Sequence, residues 1–439
     1  MGEEWVKEEL KKDLSNRHPI LQWHQSMVIY QRKKIQSADN VHSIPMTGAI
    51  AALTGLAYNL YHIAHNSELQ EKLINRLKDR NQFLGAYYET QVVAFFIQAG
   101  FEIDFEDEDD SNSTHCEFTA KHTKSGRNFS VEAKARMPGK ENAKISNQLY
   151  SALKKNAHHE RIIFIDINMS EKTTGLETTQ WIKEAIRDLR EAEKRLKIKG
   201  NDAPSAYVFL TNQQSPYNLN NTNFDVATLA ESFKIPDFQI DAPFTNLRAA
   251  IDSRDKHKEV IDLFESIKNH HKIPSTFDGE IPEFAFGGEA INEQRLIVGN
   301  KYLIPDENGK DTIGTLLDPV VMVEKGKHHV HAIYELQNGR KVICKNELTK
   351  EEVVAYNQHP DTFFGIYKPQ NRIAKDPIEL YDFYFETYSK SSKEQLLEFM
   401  KNYQNYDELL EMNQEELAKL YCEGLTYHAL KEGHFGNHD

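Results

Sequence analysis

The 439-residue sequence predicts an α/β protein in which a mixed β-sheet is flanked by helices. The first observation is the order of patterns between about 81 and 210: one helix, three strands, then helix, strand, helix and strand. The second is a pair of apolar segments without alternation, RIIFIDI at 161–167 and AYVFL at 206–210. Such segments are typical of strands that are buried on both faces. Helices alternating with buried strands indicate a mixed sheet.

Residues 1–80 form a helical N-terminal region in this prediction. The segment SELQEKLINRLKDR places Leu69, Leu73 and Leu77 at helical spacing with charged residues between them. Residues 46–64 (MTGAIAALTGLAYNLYHIA) have few charges over almost the length of a membrane span. Small and polar residues favour a tightly packed core helix there, and we expect no membrane partner.

Residues 81–245 contain the predicted mixed sheet. Its first helix, at 83–100, ends at Gly100, a common C-terminal helix stop. Three alternating strands are predicted next, FEIDFED, HCEFTA and NFSVEAKAR, with a hairpin turn at Gly126 before the third. The helices ISNQLYSALKKNA and WIKEAIRDLREAEKRL then alternate with the two apolar strands.

Three further regions are predicted after the mixed sheet. Residues 246–290 form a helical connector, with one helix near 246–269 followed by Pro/Gly-rich sequence. Residues 291–375 are β-rich and predict a small β-barrel, with hairpin turns at Asn308-Gly309 and Asn338-Gly339. Residues 376–439 form a helical C-terminal region.

Composition restricts the class of protein. Apolar residues make up 39% of the chain, which excludes global disorder. Cys116, Cys344 and Cys422 are few, widely spaced and odd in number, which argues against a disulfide framework or a four-thiolate zinc site. We therefore expect a cytoplasmic protein, since reducing compartments keep thiols free.

The net charge of −14 conceals a basic segment at 118–161. Ten basic residues there face three acids (Glu132, Glu141 and Glu160), which leaves a local charge of +7. The basic residues are Lys121, Lys124, Arg127, Lys134, Arg136, Lys140, Lys144, Lys154, Lys155 and Arg161. A phosphate backbone is the natural partner for such a segment.

Two carboxylates and an ammonium are expected to converge inside this basic segment. His115 and Glu117 point to the same side of one predicted strand, and Glu132 and Lys134 share a side of the next. If the two strands form a hairpin, the carboxylates meet. Clustered buried acids need a compensating cation, and Mg²⁺ is commonly held by one or two carboxylates with phosphate and water.

These residues resemble the motif of the PD-(D/E)XK nuclease superfamily: Glu117, then Glu132-Ala133-Lys134, after a helix bearing Glu89 and before a helix bearing Gln148. The resemblance covers roughly 80–170, extends to about 245 if the second helix-strand unit is included, and implies a restriction-endonuclease-like α-β-β-β-α-β core.

The resemblance also implies roles for individual residues. Glu117, Glu132 and the Ala133 carbonyl would hold Mg²⁺, with Mn²⁺ able to substitute. Lys134 would orient the attacking water or stabilise transition-state charge. Glu89 would orient Lys134 or join a second metal site, and Gln148 would contact water or phosphate.

The first acid of the family motif is usually Asp, and either His115 or Glu117 fills that position here. Glu117 is favoured as the metal ligand because a carboxylate suits Mg²⁺ better than imidazole does. His115, Arg136, Lys140 and Lys155 are then candidate substrate-binding residues.

The sequence thus predicts a metal-dependent nuclease that hydrolyses phosphodiester bonds, with DNA favoured over RNA as substrate. By analogy, its role is restriction or anti-phage defence, with a homodimer or a partner protein of the same system. The alternative is a catalytically inactive nuclease-fold protein that binds nucleic acid or a protein partner.

Overall fold

The computed structural model describes most of the chain, with gaps mainly in connecting segments. The described residues are 2–34, 44–105, 116–139, 142–169, 178–222, 226–238, 247–270, 272–274, 276–277, 296–305, 311–337, 339–365, 374, 377–403 and 405–431.

Four helices precede the sheet: α1 (Glu3–Leu10), α2 (Pro19–Lys34), α3 (Gly48–Ile63) and α4 (Ser67–Lys78). The apolar stretch around α3 packs as a core helix, as predicted, with Ala49 and Ala52 fully buried beside Trp23 and Phe83. Within the described part of the chain, no helix combines the length and the apolarity needed to cross a membrane.

The predicted mixed sheet is confirmed as an α/β layer of six described strands. Its elements are α5 (Phe83–Gln98), β1 (Phe101–Phe105), β2 (Phe118–His122), β3 (Asn128–Ala135), α6 (Ser146–Leu153), β4 (Glu160–Asp166), α7 (Thr178–Arg195), β5 (Lys197–Ile198), β6 (Asn201–Asp202), β7 (Ala206–Gln213) and β8 (Val226–Phe233). The strand order is β1-β2-β3-β4-β7-β8, and β5 and β6 pair separately. Strands β3, β4 and β7 are parallel to one another, whereas β1, β2 and β8 pair antiparallel to their neighbours.

Helices cover both faces of this sheet, because alternate residues of the central strands are apolar on both sides. On one face, Phe129 and Val131 of β3 pack in a cluster with residues of α5, and with α9 further along the sheet. On the other face, Ile163 and Ile165 of β4 pack against α6 and α7. Here α9 spans Lys258–Asn269 and follows α8 (Leu247–Lys256).

Three details differ from the sequence prediction. Strand β2 begins at Phe118, three residues later than predicted, and β8 was not predicted. The single helix expected near 246–269 is two helices, which are interrupted at His257. The His257 ring forms a hydrogen bond of 2.8 Å with the Tyr207 hydroxyl of β7, so the interruption between the two helices lies where the chain contacts the sheet.

The predicted small barrel is instead a four-stranded antiparallel sheet within the described residues. Its strands are β9 (Lys301–Pro305), β10 (Asp311–Glu324), β11 (Lys327–Leu336) and β12 (Lys341–Glu347), in the order β12-β11-β10-β9. The segments IGTLL and VVMVE both lie in the single strand β10, whose register shifts between Leu316 and Asp318. A bulge of this kind accommodates Pro319 within one continuous strand. The turn at Gly339 has positive φ, whereas Asn308-Gly309 and Asn338 lie outside the described residues.

The C-terminal region is helical, as predicted, with α10 (Lys350–Gln358), α11 (Pro377–Tyr388), α12 (Lys393–Phe399), α13 (Tyr406–Glu411) and α14 (Gln414–Lys431). Leu396 of α12 and Leu417 of α14 are fully buried in a common cluster. Tyr381 and Cys422 pack with Leu247 and Ile251 of α8, which joins this region to the chain that follows the mixed sheet. All three cysteines are free thiols.

Candidate active site

Strand β3 positions Glu132 and Lys134 on one face of the sheet. Side chains alternate along a strand, and the odd-numbered residues Phe129, Val131 and Ala133 pack on the α5 face. Glu132 and Lys134 therefore lie on the opposite face, which α6 and α7 cover. Glu132 is only 1% exposed, so its carboxylate is removed from water.

Glu117 lies opposite Glu132, at the residue that leads into β2. Its backbone N–H donates to the Val131 carbonyl at 3.0 Å. Glu117 precedes Phe118, which pairs with Val131, so Glu117 faces Glu132. Lys134 Nζ donates to Oε1 of Glu117 at 3.3 Å and also forms an ion pair with Oε1 of Glu132. The convergence of two carboxylates and an ammonium, expected from the sequence, is present in the structure.

A second cation approaches the buried carboxylate from α6. Lys155, which follows the end of this helix, places Nζ 3.9 Å from Oε1 of Glu132. The sequence predicted Lys155 as a substrate contact. The structure places it within reach of the carboxylates, on the side from which α6 covers the sheet.

The electrostatics of Glu132 reflect its burial. Burial and the neighbouring charge of Glu117 raise its pKa to about 7, although Lys134 and Lys155 oppose this change. Burial disfavours the charged form of Lys134, but the two glutamates outweigh that effect and raise its pKa. Lys134 therefore stays charged, and Glu132 holds its proton more tightly than an exposed glutamate does.

The donor set fits a hard divalent cation held partly by protein. Oε2 of Glu132 is buried and has no hydrogen-bond partner among the described residues. Over the same residues, no group of three or more His, Cys, Asp or Glu side chains is placed to hold a metal ion. Glu117, Glu132 and the Ala133 carbonyl can therefore supply part of a Mg²⁺ shell, which must be completed by water and phosphate.

Glu89 lies on α5, on the opposite side of the sheet from Glu132. Its carboxylate is buried and contacts Arg76 Nη1 of α4, at 2.8 Å through Oε1 and 2.7 Å through Oε2. The sequence could not show this, because the alternation of β3 does not reveal which face α5 will cover.

Gln148 lies half-buried on α6, and its side chain makes no hydrogen bond within the described residues. The same helix exposes Asn147 and Tyr150, which the sequence did not suggest, beside two lysines of the basic segment. Asn147, Tyr150 and Lys154 are three and four residues apart and share one side of α6. Lys144 lies two residues before its start, and Tyr150 is 43% exposed. We call these four residues the α6 strip.

Arg136 was predicted to bind substrate but is engaged inside the protein. It is buried and donates through Nη1 to the backbone oxygen of Asn142 at 2.8 Å. Burial lowers its pKa, and the charges of Asp188 and Asp166 oppose this effect. His115 and Lys140 lie outside the described residues.

A second buried carboxylate, Asp166, lies at the end of β4. Its Oδ1 accepts from the Thr211 hydroxyl and from the Gln213 backbone N–H, both at 3.0 Å, and Tyr88 in turn contacts Thr211 at 2.9 Å. Burial raises the pKa of Asp166 to about 7, against these hydrogen bonds. An acid at the end of an otherwise apolar strand is the sequence feature that indicates this buried carboxylate.

Comparison of the chain with models of known protein families, with curated proteins and with solved structures finds no match.

Proposed function

We propose that this protein is a Mg²⁺-dependent nuclease of the PD-(D/E)XK type, which hydrolyses phosphodiester bonds in DNA. The observation that carries the proposal is the meeting of Glu117, Glu132 and Lys134, with a buried and unpartnered oxygen on Glu132. Burying two like charges side by side costs free energy, and proteins commonly bear this cost at functional sites.

The arrangement of elements supports the proposal. The order α5-β1-β2-β3-α6-β4 is the α-β-β-β-α-β order that the resemblance implies. Glu132 lies on β3 and Glu117 directly precedes β2, opposite Glu132, which supports an assignment of these two acids to the family motif. A chance E-x-K tripeptide on an exposed edge would place neither a second acid opposite it nor a helix over it.

The residues have distinct roles in the proposed reaction. Glu117, Glu132 and the Ala133 carbonyl would hold the ion, which when bound polarises the scissile phosphate and lowers the pKa of a water ligand. Lys134 lies beside both carboxylates, where it orients that water or stabilises charge that develops on the phosphate oxygens. Lys155 provides a second positive charge for the phosphate.

The α6 strip provides a surface for the nucleic acid on the exposed side of the helix that covers this face of the sheet. Lys144 and Lys154 are exposed, and neither forms an ion pair within the described residues. Two free lysines can bind backbone phosphates, and Tyr150 presents an exposed ring on which a base can stack. Other parts of the basic segment are less available, since Arg127 is paired with Glu160 and Lys121 with Glu102.

Cleavage assays test the proposal. Supercoiled DNA, linear DNA and RNA are incubated with the wild type, Glu132→Gln, Glu117→Gln and Lys134→Met, each with Mg²⁺, Mn²⁺ or EDTA. We expect the wild type to cut DNA with either metal, EDTA to stop cleavage, and each variant to lose at least about a hundredfold in rate.

Glu102→Gln is the matched control, because it removes an exposed acid from β1 of the same sheet. Cutting by all three variants at the wild-type rate would refute the proposal. If the wild type binds DNA without cutting it, and binding persists in the variants, the catalytically inactive alternative is supported. Preferential cleavage of RNA would support the proposed phosphodiester hydrolysis but would make RNA, rather than DNA, the substrate.

A further inference from the structure

A cavity of about 330 Å³ lies at the amino ends of β4 and β7, away from the carboxylate pair. Its volume is at the lower end of the range for small-molecule sites. The polar residues that line it and carry the argument are Arg127, Arg161, Tyr207, Lys234, Lys256 and His257.

The cationic side chains of this cavity are not all neutralised. Arg127 is paired with Glu160 and Glu259, and Lys256 is paired with Asp237. Arg161 and Lys234 form no ion pair within the described part of the chain. Four basic side chains thus meet three carboxylates at or beside this wall, so one net positive charge remains, and Arg161 and Lys234 are the two cations that no described carboxylate pairs.

Two buried nitrogen atoms in the same wall have no hydrogen-bond partner: Nε of Arg161 and Nε2 of His257. The His257 side chain belongs to a residue that is only 2% exposed. Leaving a buried polar atom unpaired costs free energy, so the polar contacts of this wall are incomplete in the structure.

The Tyr207 hydroxyl lies 2.8 Å from Nδ1 of His257, so Nε2 is the ring nitrogen that is left without a partner among the described residues. Helix α9 begins directly after His257, so its positive end faces the same wall.

We propose that this cavity binds a small phosphate-bearing ligand of about mononucleotide size. Arg161 and Lys234 supply the charge, and Tyr207 and His257 add polar side chains to the same wall. The cavity is separate from the carboxylate pair. Glu160 in its wall pairs with Phe129 of β3, and Phe129 precedes Glu132 on that strand by three residues, or roughly 10 Å. Metal and nuclease chemistry are not needed for this binding.

The test is calorimetric titration of the full-length protein in EDTA with AMP, inorganic phosphate and adenosine. We expect AMP or phosphate to bind and adenosine not to bind. AMP binding more tightly than phosphate identifies a nucleotide ligand, and equal binding identifies a free phosphate. Absence of binding by both AMP and phosphate overturns the proposal, as does adenosine binding as tightly as AMP.

Substitutions locate the binding. Lys234→Asn suits the positive φ of this residue and removes its charge, and Arg161→Gln removes the second charge. Each should weaken binding about tenfold or more. Glu132→Gln should bind as the wild type does, which separates this site from the proposed nuclease. Unchanged affinity in both Lys234→Asn and Arg161→Gln, with folding verified by circular dichroism, would overturn the assignment.

Discussion

Lys134 Nζ donates to Glu117 Oε1 at 3.3 Å while it is also paired with the buried carboxylate of Glu132. This ammonium contacts two neighbouring acids, one of which is almost completely removed from water, and Lys155 Nζ lies 3.9 Å from the same buried carboxylate. A divalent ion bound by both carboxylates would carry twice the charge of either ammonium. The stability of this site should therefore respond to metal, to pH and to each carboxylate.

Metal binding should stabilise the folded protein through the two glutamates. At a Mg²⁺ or Mn²⁺ concentration ten times Kd, the free energy of unfolding should rise by about 1.4 kcal/mol. Thermal unfolding of the wild type with and without the ion measures this effect. Glu132→Gln and Glu117→Gln should lose it, and Glu102→Gln should retain it. Equal stabilisation of all four proteins would place the ion elsewhere.

The stability of the wild type should fall between about pH 4.5 and 7 because of Glu132. Its pKa is raised from 4.5 to about 7, so the folded state holds this proton more tightly than the unfolded state. This contribution is fully present below pH 4.5 and is lost as the pH rises through 7; it is on the order of 3 kcal/mol.

Urea unfolding in EDTA at several pH values, for the wild type and Glu132→Gln, isolates this contribution. Asp166 is buried with a raised pKa in both proteins, so its effect cancels in the comparison. Relative to Glu132→Gln, the wild type should become less stable as the pH rises. Parallel profiles for the two proteins would contradict the raised pKa of Glu132.

Glu89→Ala should destabilise the protein by removing the partner of Arg76. The carboxylate is buried and contacts Nη1 through both oxygens, and breaking such a pair costs on the order of 3 kcal/mol. Equilibrium unfolding measures that loss. Cleavage per folded molecule, assayed well below the unfolding temperature, should stay within about threefold of the wild type, because Glu89 lies on the other side of the sheet. A loss of a hundredfold would instead support the catalytic role that the resemblance implied.

Two glycines of α3 should respond oppositely to alanine. A Cβ at Gly48 would lie 2.2 Å from the Asn218 backbone oxygen and 2.7 Å from that of Ser215, so Gly48→Ala should cost about 2 kcal/mol. At Gly55 the closest atom is Ile273 Cδ1 at 3.8 Å, an ordinary contact. Gly55→Ala should therefore stabilise the helix by about 0.5–1 kcal/mol. Chemical denaturation of both variants measures the difference, and a stabilising Gly48→Ala would contradict the close packing of α3.

The double variant Lys144→Ala/Lys154→Ala should weaken DNA binding and reduce its salt dependence. If each lysine binds one phosphate, the slope of log affinity against log salt should decrease by about 1.8. Fluorescence anisotropy in EDTA, at several salt concentrations, measures the slope without cleavage. Lys33→Ala/Lys34→Ala on α2 is the matched control and should leave the slope unchanged. The same slope in both double variants would exclude the α6 strip as the binding surface.

The local periodicity of the sequence was enough to predict much of the mixed sheet and the meeting of Glu117, Glu132 and Lys134. The alternation of β3 places Glu132 and Lys134 on one face, and the hairpin with Gly126 brings Glu117 opposite them. The uninterrupted apolar strands β4 and β7 likewise indicated a sheet covered on both faces. These features depend on residues two apart or on one short turn, so they are present in the sequence itself.

Only the tertiary structure decided which helix covers which face. Helix α5 packs on the Val131 side, so Glu89 contacts Arg76, whereas α6 packs on the Glu132 side and brings Lys155 within 3.9 Å. The open order of β9–β12 and the burial of Arg136 depend in the same way on pairings between distant segments. Side-chain periodicity is a property of neighbouring residues, whereas the choice of face depends on how whole elements bury their apolar surfaces together.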